Sequence, residues 1–273
     1  MNTVKTLTAV SAAMLLALGS TAPVVHAQQN DAPPVGTGNM GEDAEKAWKK
    51  TKEDISEAYK DVKSVFTDEN GNTKLQPVMI NPSRTAVGII DQPVYNRGGE
   101  RVATVKDIIL DANGKASMIV LADGEFPGVD MKLTAFNYSL LTQQNTDGDI
   151  IMPLTEDMID QAAAFSYDKK DESDKVRVTP NNGYSVAELL KADLINEKKE
   201  EIAQIDNISL KSGQADQLIV DFNRVLGLGG EKAAIGYKEA KIVRDDKGNL
   251  DFQLNANQTA QFENFKKNTA KTN

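Results

Sequence analysis

The sequence predicts a mainly β protein: two small β-barrels in tandem, each followed by a short helix, with an amphipathic α-helix before them. The chain repeats itself at a spacing of about 100 residues. Each copy is a run of short strands separated by Gly, Asn and Asp turn residues. Apolar residues recur at helical spacing ahead of the first copy. A chain of 273 residues has room for two such units.

Residues 1–27 are predicted to be a cleaved signal peptide. Lys5 precedes an apolar run over residues 9–18, and Val25-His26-Ala27 offers the small residues that signal peptidase prefers. The run is shorter than the ~20 apolar residues of a membrane span. We therefore expect a periplasmic or secreted bacterial protein with no stable membrane span after cleavage; an uncleaved anchor is the alternative. Residues 28–41 have little to bury and are predicted to be a flexible tether.

The composition argues against most kinds of catalysis. The chain has no Cys, and its single His, His26, lies in the predicted signal peptide. Thiol nucleophiles, disulfides, Cys/His zinc sites and imidazole catalysis are therefore excluded for the mature chain. The 40 acidic residues outnumber the 31 Lys plus Arg, which disfavours nucleic acid as a partner. We predict no enzyme, no catalytic residue and no cofactor.

Residues 42–66 are predicted to form the amphipathic helix. Five apolar residues at spacings of three, four and seven share one stripe: Trp48, Ile55, Tyr59, Val62 and Phe66. We expect this stripe to pack on the chain's own barrel, on a second copy or on a protein partner. A membrane surface fits less well, because the polar face carries charges of both signs.

The internal repeat covers most of the remaining chain. Residues 94–110 align with residues 194–210, and the alignment continues through compensating gaps. The matched pairs that follow include Gly114 with Gly213, Ala116 with Ala215, Tyr138 with Tyr237, and Phe165 with Phe265. Chance does not keep Gly, Tyr and Phe in step in this way. We therefore predict one domain at residues 84–166 and a second at residues 184–266, with a solvated linker at 167–183 and a disordered tail at 267–273.

Each copy is predicted to contain a bent strand and to end in a helix. The apolar residues change parity in the middle of one strand: Ala103 and Val105 precede Ile108 and Leu110, and Ala203 and Ile205 precede Ile208 and Leu210. Such a change predicts a β-bulge, which bends a strand and helps a small sheet to close. Residues 155–165 and 255–265 are predicted to be short helices, N-capped by Thr155 and Asn255.

Both copies resemble the PRC-barrel domain family. The first copy reads Glu-Arg-Val-Ala-Thr-Val-Lys-Asp-Ile-Ile-Leu-Asp from Glu100, then Asn-Gly-Lys and a Val/Leu strand, and the second is similar through Ile202–Leu210. The second copy departs from the pattern at Asn207, where the first has Asp107. The resemblance implies small barrels that hold other macromolecules and do not perform chemistry.

Three surfaces are predicted to bind. The stripe of the helix is one, and the others are two glycine-bearing loops, residues 122–130 and 226–231, whose contact residues would be Phe126, Leu226 and Leu228. The first loop also carries Asp123, Glu125 and Asp130, weak candidates for calcium ligands because hard cations take oxygen donors. The second loop carries Gly227, Gly229 and Gly230, but they are not followed by the Lys and Ser/Thr that a phosphate-binding loop has.

The sequence therefore favours a non-catalytic exported scaffold or interaction protein that binds a protein partner, or a second copy of itself, in the cell envelope. A periplasmic protein that binds a small ligand or a divalent cation is the alternative. An envelope glycan hydrolase that uses a carboxylate pair comes third.

Overall fold

Two β-sheets organise the chain, each around one long strand. The computed structural model describes residues 53, 56–57, 59–60, 62–66, 78–122, 132–141, 143–144, 150–223 and 230–269. The predicted signal peptide and tether lie outside these residues. The earliest described strand, β1 (Lys63–Ser64), belongs to the second sheet.

The first sheet is formed by residues between 93 and 185. Its strands are β2 (Pro93–Tyr95), β3 (Arg101–Leu110), β4 (Ala116–Ala122), β5 (Leu133–Asn137), β6 (Gln143–Gln144), β7 (Ile150–Ile151), β8 (Ala164–Ser166), β9 (Val176–Val178) and β10 (Tyr184–Ser185). The hydrogen-bonded order is β6-β7-β2-β3-β4-β5-β8-β9, and β10 pairs with the end of β3.

The second sheet takes its remaining strands from residues 193–253. They are β11 (Asp193–Ile195), β12 (Glu201–Lys211), β13 (Gln214–Phe222), β14 (Glu231–Gly236), β15 (Lys241–Arg244) and β16 (Leu250–Gln253). Their order is β15-β16-β11-β12-β13-β14-β1. This order matches the first sheet strand for strand from β6 to β8, so β1 takes the place that β8 has there.

The long strands of the two sheets share their irregularities as well. The register of β3 against β4 shifts between Val105 and Asp107, and that of β12 against β13 shifts between Ile205 and Asn207. These are the places where the change of parity predicts bulges. Each bulge lets apolar side chains on both halves of its strand face the core.

Three α-helices whose ends lie among the described residues accompany the sheets: α1 (Glu156–Gln161), α2 (Val186–Leu189) and α3 (Ala256–Thr269). The Thr155 side chain accepts the N–H of Met158 at the start of α1. At the start of α3, Asn255 and Gln258 each accept the other's backbone N–H at 2.9 Å, a reciprocal capping pair.

Both predicted C-terminal helices have different ends in the structure. The first stops at Gln161, because Ala164–Ser166 pair with neighbouring strands as β8 and the Phe165 side chain is buried there. The second continues to Thr269, into the predicted disordered tail, and Phe262 and Phe265 hold it by edge-to-face contacts with the ring of Phe222.

The helix predicted over residues 42–66 also ends earlier. Glu53, Ser56, Glu57 and Tyr59 are helical, but Lys63–Ser64 form β1 beside β14. The backbone N–H of Val65 then donates to the carbonyl of Ala234 at 3.0 Å. Pairing with the sheet therefore replaces the last predicted helical turn.

The linker predicted at residues 167–183 is folded onto the first sheet. Lys169–Asp171 form a 3₁₀ turn, and β9 pairs in parallel with β8. The Arg177 side chain donates to the carbonyl of Ala135 at 3.3 Å. This segment is therefore exposed, as a solvated linker would be, but part of it is paired with the first sheet.

One apolar core serves both sheets. Ile108 of β3, Ile208 of β12 and Val186 of α2 are fully buried in the same cluster. All the described residues belong to a single compact unit. Within the described part of the chain, no helix has both the length and the apolar character needed to cross a membrane.

Candidate functional site

The residues predicted to bind a partner fall into two groups. Trp48, Ile55, Phe126, Leu226 and Leu228 lie outside the described residues, as do the candidate calcium ligands Asp123, Glu125 and Asp130. Tyr59 and Val62 are buried against Ile219 and Ala234 of the second sheet, and Phe66 packs against the main core. The described part of the stripe therefore covers the chain's own sheet, which was one of the expected outcomes.

Two hairpins meet where the sheets join. The N–H of Ala116, after the first hairpin, donates to the carbonyl of Gly213 at 2.7 Å. The N–H of Ala215, after the second, donates to the carbonyl of Gly114 at 2.8 Å. These four residues are two of the matched pairs of the sequence repeat. The contact is therefore reciprocal, as it is across a two-fold axis.

A tyrosine from each sheet lies against the hairpin of the other. A Cβ atom added to Gly114 would lie 2.6 Å from Cε1 of Tyr237, and one added to Gly213 would lie 3.1 Å from Cε1 of Tyr138. Both glycines have positive φ angles, 79° and 75°, which side chains rarely adopt. These turns need glycine both for the backbone and for the close approach of the ring.

The surroundings of the two tyrosines differ. Burial raises the pKa of Tyr138 to about 12, and its ring borders a cavity of about 500 Å³. The cavity is lined mainly by polar residues, including Asp111, Lys115, Ser117 and Ser212. The hydroxyl of Tyr237 is buried and has no hydrogen-bond partner among the described residues. Burial also raises the pKa of Tyr237.

Asp107 is a fully buried carboxylate in the bulge of β3. Its Oδ1 accepts the N–H groups of Ile108 at 2.7 Å and Ala187 at 2.9 Å. Its carboxylate also accepts the hydroxyls of Ser185 and Tyr167. Burial raises the pKa of Asp107 above its ordinary value, and these hydrogen bonds partly oppose that effect. The carboxylate thus holds the start of α2 on the first sheet.

Asn207 takes the equivalent place in the second sheet, with a neutral amide. Its Oδ1 accepts the N–H groups of Ile208 at 2.8 Å and Val87 at 3.2 Å. Its Nδ2 donates to the hydroxyl of Tyr59 at 3.0 Å. Residues 87 and 187 are 100 positions apart, as are 107 and 207. Each sheet therefore binds the segment that precedes the other sheet.

A polar cluster surrounds the Tyr59 hydroxyl. This hydroxyl donates to Oδ2 of Asp206 at 2.7 Å, and Lys232 forms an ion pair with the same carboxylate. The ammonium of Lys232 also lies 3.9 Å from Oδ2 of Asp221 and 5.7 Å from the centre of the Tyr59 ring. Burial, together with the charge of Asp206, raises the pKa of Tyr59. The cluster therefore fixes the Tyr59 side chain on the second sheet.

These polar groups bind the chain to itself. The carboxylate of Asp107 is surrounded by donors from its own chain, and that of Asp206 is shared by Lys232 and Tyr59. In the described ranges no three Asp, Glu or His side chains come together in a way that could hold a metal ion. The polar contacts described above therefore join segments of one chain.

Sequence reasoning missed the importance of four polar residues: Asp107, Asn207, Tyr167 and Lys232. The exchange of Asp for Asn at positions 107 and 207 was visible in the repeat, but it gave no sign that the side chains bind distant segments. The two tyrosines of the repeat were visible too. Their contacts with the opposite hairpin require the tertiary arrangement.

The family comparison agrees with the resemblance seen in the residues. The model of the PRC-barrel domain matches residues 85–180, from Thr85 before β2 to the end of the segment that carries β9. No curated protein matches the chain. The similarity to the PRC-barrel domain family therefore extends over residues 85–180 of this chain.

Proposed function

We propose that the protein is a non-catalytic, exported scaffold that binds a protein partner in the bacterial cell envelope. Its export rests on the predicted signal peptide at residues 1–27. The PRC-barrel domain at residues 85–180 supports a binding role, because the resemblance implies barrels that hold other macromolecules.

The observation that carries this proposal is the reciprocal junction of the two sheets. Backbone hydrogen bonds from Ala116 to Gly213 and from Ala215 to Gly114 tie the hairpins together over a shared core. A body held in this way can present loops in a constant relative position. A rigid platform with variable loops is a common arrangement for binding.

We also propose that the second sheet is a second PRC-barrel-like unit. Its strands follow the order of the first sheet, and the bulges at residues 106 and 206 are 100 positions apart. The β4 to β5 and β13 to β14 connections then occupy equivalent places, with Ala122 paired to Leu133 and Phe222 to Glu231. These are the loops predicted to contact the partner.

Photocrosslinking in the native envelope tests the scaffold. A photoreactive amino acid is placed at Phe126 in the first loop, at Leu228 in the second, and at Met158 as the control. Met158 lies on α1 and is 49% exposed, so it is accessible without belonging to a predicted surface. We expect a discrete crosslinked protein from a loop position and none from Met158.

Two results would contradict the proposal. Crosslinks that are the same from Met158 and from the loops would show only crowding in the envelope. Crosslinks to no protein other than a second copy of the chain would indicate self-assembly in place of scaffolding.

A further inference from the structure

We propose that the outer edge of β14, together with Asp206 and Asn207, is a binding site for an extended, tyrosine-bearing segment of a partner protein. Tyr59 and Val62–Phe66, called here the N-terminal strap, are its resident occupant. This inference rests on the proposed function, because it names the kind of segment that a partner would contribute.

The first observation is that equivalent edges of the two sheets are covered by two segments that do not correspond to each other in the sequence repeat. In the first sheet, β8 lies beside β5, with Ala164 paired to Thr134. In the second sheet, β1 lies beside β14, with Lys63 paired to Ala233. β8 follows its own sheet in the chain, whereas β1 precedes both sheets.

The two covering segments run in opposite directions, but each brings a tyrosine hydroxyl to the bulge residue of its long strand. β8 is antiparallel to β5, and Tyr167, one residue beyond it, donates its hydroxyl to Asp107. β1 is parallel to β14, and the hydroxyl of Tyr59, ahead of it, accepts a hydrogen bond from Nδ2 of Asn207. Because the direction is reversed, a tyrosine after one strand and a tyrosine before the other reach the same place. The edge thus selects an extended backbone with a tyrosine at one end.

The apolar part of the contact is also shared. Phe165 packs on Val120 and Ala135 of the first sheet. Val62 and Tyr59 pack on Ile219 and Ala234, which are the equivalent residues of the second sheet. A segment that binds here therefore needs an apolar side chain beside the extended backbone, in addition to the tyrosine. Main-chain pairing at a sheet edge with pockets for single side chains is a recurring mode of peptide recognition.

The strap is the more replaceable of the two occupants. β8 is enclosed between β5 and β9, so it is paired on both sides. β1 is two residues long and is the terminal strand of the described second sheet. Because β1 pairs so little backbone, the buried side chain of Tyr59, 6% exposed against 45% for Tyr167, is a large part of what holds the strap. Weakening this anchor should therefore free the edge.

A peptide-binding experiment on the mature full-length chain tests the site. The probe is a fluorescent peptide of residues 57–66, Glu-Ala-Tyr-Lys-Asp-Val-Lys-Ser-Val-Phe, and a second peptide has Phe in place of Tyr. The proteins are the wild type, Tyr59→Phe, and Tyr167→Phe as the matched control. Dissociation constants come from fluorescence anisotropy.

We expect the Tyr59→Phe chain to bind the tyrosine peptide about tenfold or more tightly than the wild type does. Loss of a hydrogen bond to a charged group weakens the resident strap by about this factor, and the apparent affinity rises with the fraction of open sites. The Phe peptide should bind the same variant about tenfold more weakly than the tyrosine peptide. The Tyr167→Phe chain should bind as the wild type does.

Three results would contradict the site. The Tyr59→Phe chain could fail to bind the tyrosine peptide, or it could bind the tyrosine and Phe peptides equally well. The third result is a gain in affinity for the tyrosine peptide in the Tyr167→Phe chain equal to that in the Tyr59→Phe chain. Dimerisation of the Tyr59→Phe chain that competes with the peptide would assign the edge to the strap of a second copy and not to a partner.

A second measurement needs no variant. In hydrogen exchange on the wild type, the N–H of Val65, which bonds to Ala234 in the strap contact, should exchange faster than that of Ala164, which bonds to Lys175. Slower exchange at Val65 would exclude an exchangeable strap. If the peptide binds but the loops give no crosslinks, the site at the β14 edge stands and the loop-based scaffold is refuted. If the loops give crosslinks but the peptide does not bind, the scaffold stands and the site is refuted.

Discussion

Substitution of Gly114 by Ala should damage the junction between the two sheets. The residue has a φ angle of 79°, and a Cβ atom there would lie 2.6 Å from Cε1 of Tyr237. Carbon atoms in contact are normally about 3.5 to 4.0 Å apart, so the ring would have to move by about 1 Å. The backbone cost is about 1 to 2 kcal/mol, and the overpacking costs about 1 to 3 kcal/mol more.

We therefore expect Gly114→Ala to lower the free energy of unfolding by about 2 to 5 kcal/mol. Gly99 is the matched control: its φ is 81°, and nothing lies within 4 Å of its added Cβ. Gly99→Ala should show only the backbone part of the loss. Gly213→Ala, with a distance of 3.1 Å to the Tyr138 ring, should fall between them.

Urea denaturation of the three variants, followed by circular dichroism, measures these differences. A double-mutant cycle with Tyr237→Ala isolates the contact: in that background the added cost of Gly114→Ala should shrink to that of Gly99→Ala. Equal losses for Gly114→Ala and Gly99→Ala in the wild-type background would refute the close approach of Tyr237 to the opposite hairpin.

Three further substitutions test individual side chains. Because burial raises the pKa of Asp107, the wild type should gain stability relative to Asp107→Asn as the pH falls from 7 toward the ordinary carboxyl range; parallel curves in urea titrations would contradict this. Tyr237→Phe should leave stability unchanged or raise it by about 1 kcal/mol, since its buried hydroxyl lacks a partner among the described residues. A clear fall in the melting temperature would show that the Tyr237 hydroxyl does form a stabilising hydrogen bond. Thr155→Ala should cost about 1 kcal/mol by removing the cap of α1, and an unchanged melting temperature would count against the cap.

Local patterns in the sequence predicted much of the sheet structure. The parity change around residue 106, and again around residue 206, depends only on which side chains face the core, so it marked the bulges without knowledge of any partner strand. Turn residues such as Gly114 and Gly213 marked the hairpins, because a positive φ angle favours glycine and depends only on the local backbone.

Element ends were harder to predict where a distant strand decides them. The apolar spacing of Tyr59, Val62 and Phe66 suits a helix, yet Lys63–Ser64 pair with β14. Phe165 likewise fits a helical stripe, but Ala164–Ser166 lie between β5 and β9. Backbone pairing with an open sheet edge outweighs local helix preference, and that edge is not visible in the segment itself.

The sequence by itself determined the mainly β class of the fold, the spacing of about 100 residues at which matching residues recur, and a composition with one His and no Cys. These are properties of single residues and of their spacing. Only the tertiary structure decided that Asp107 and Asn207 each hold the segment preceding the opposite sheet, and that Tyr59 and Tyr167 reach equivalent places from strands of opposite direction. Such contacts join residues far apart in the chain, so they depend on how the sheets pack and leave no periodic signal in the sequence.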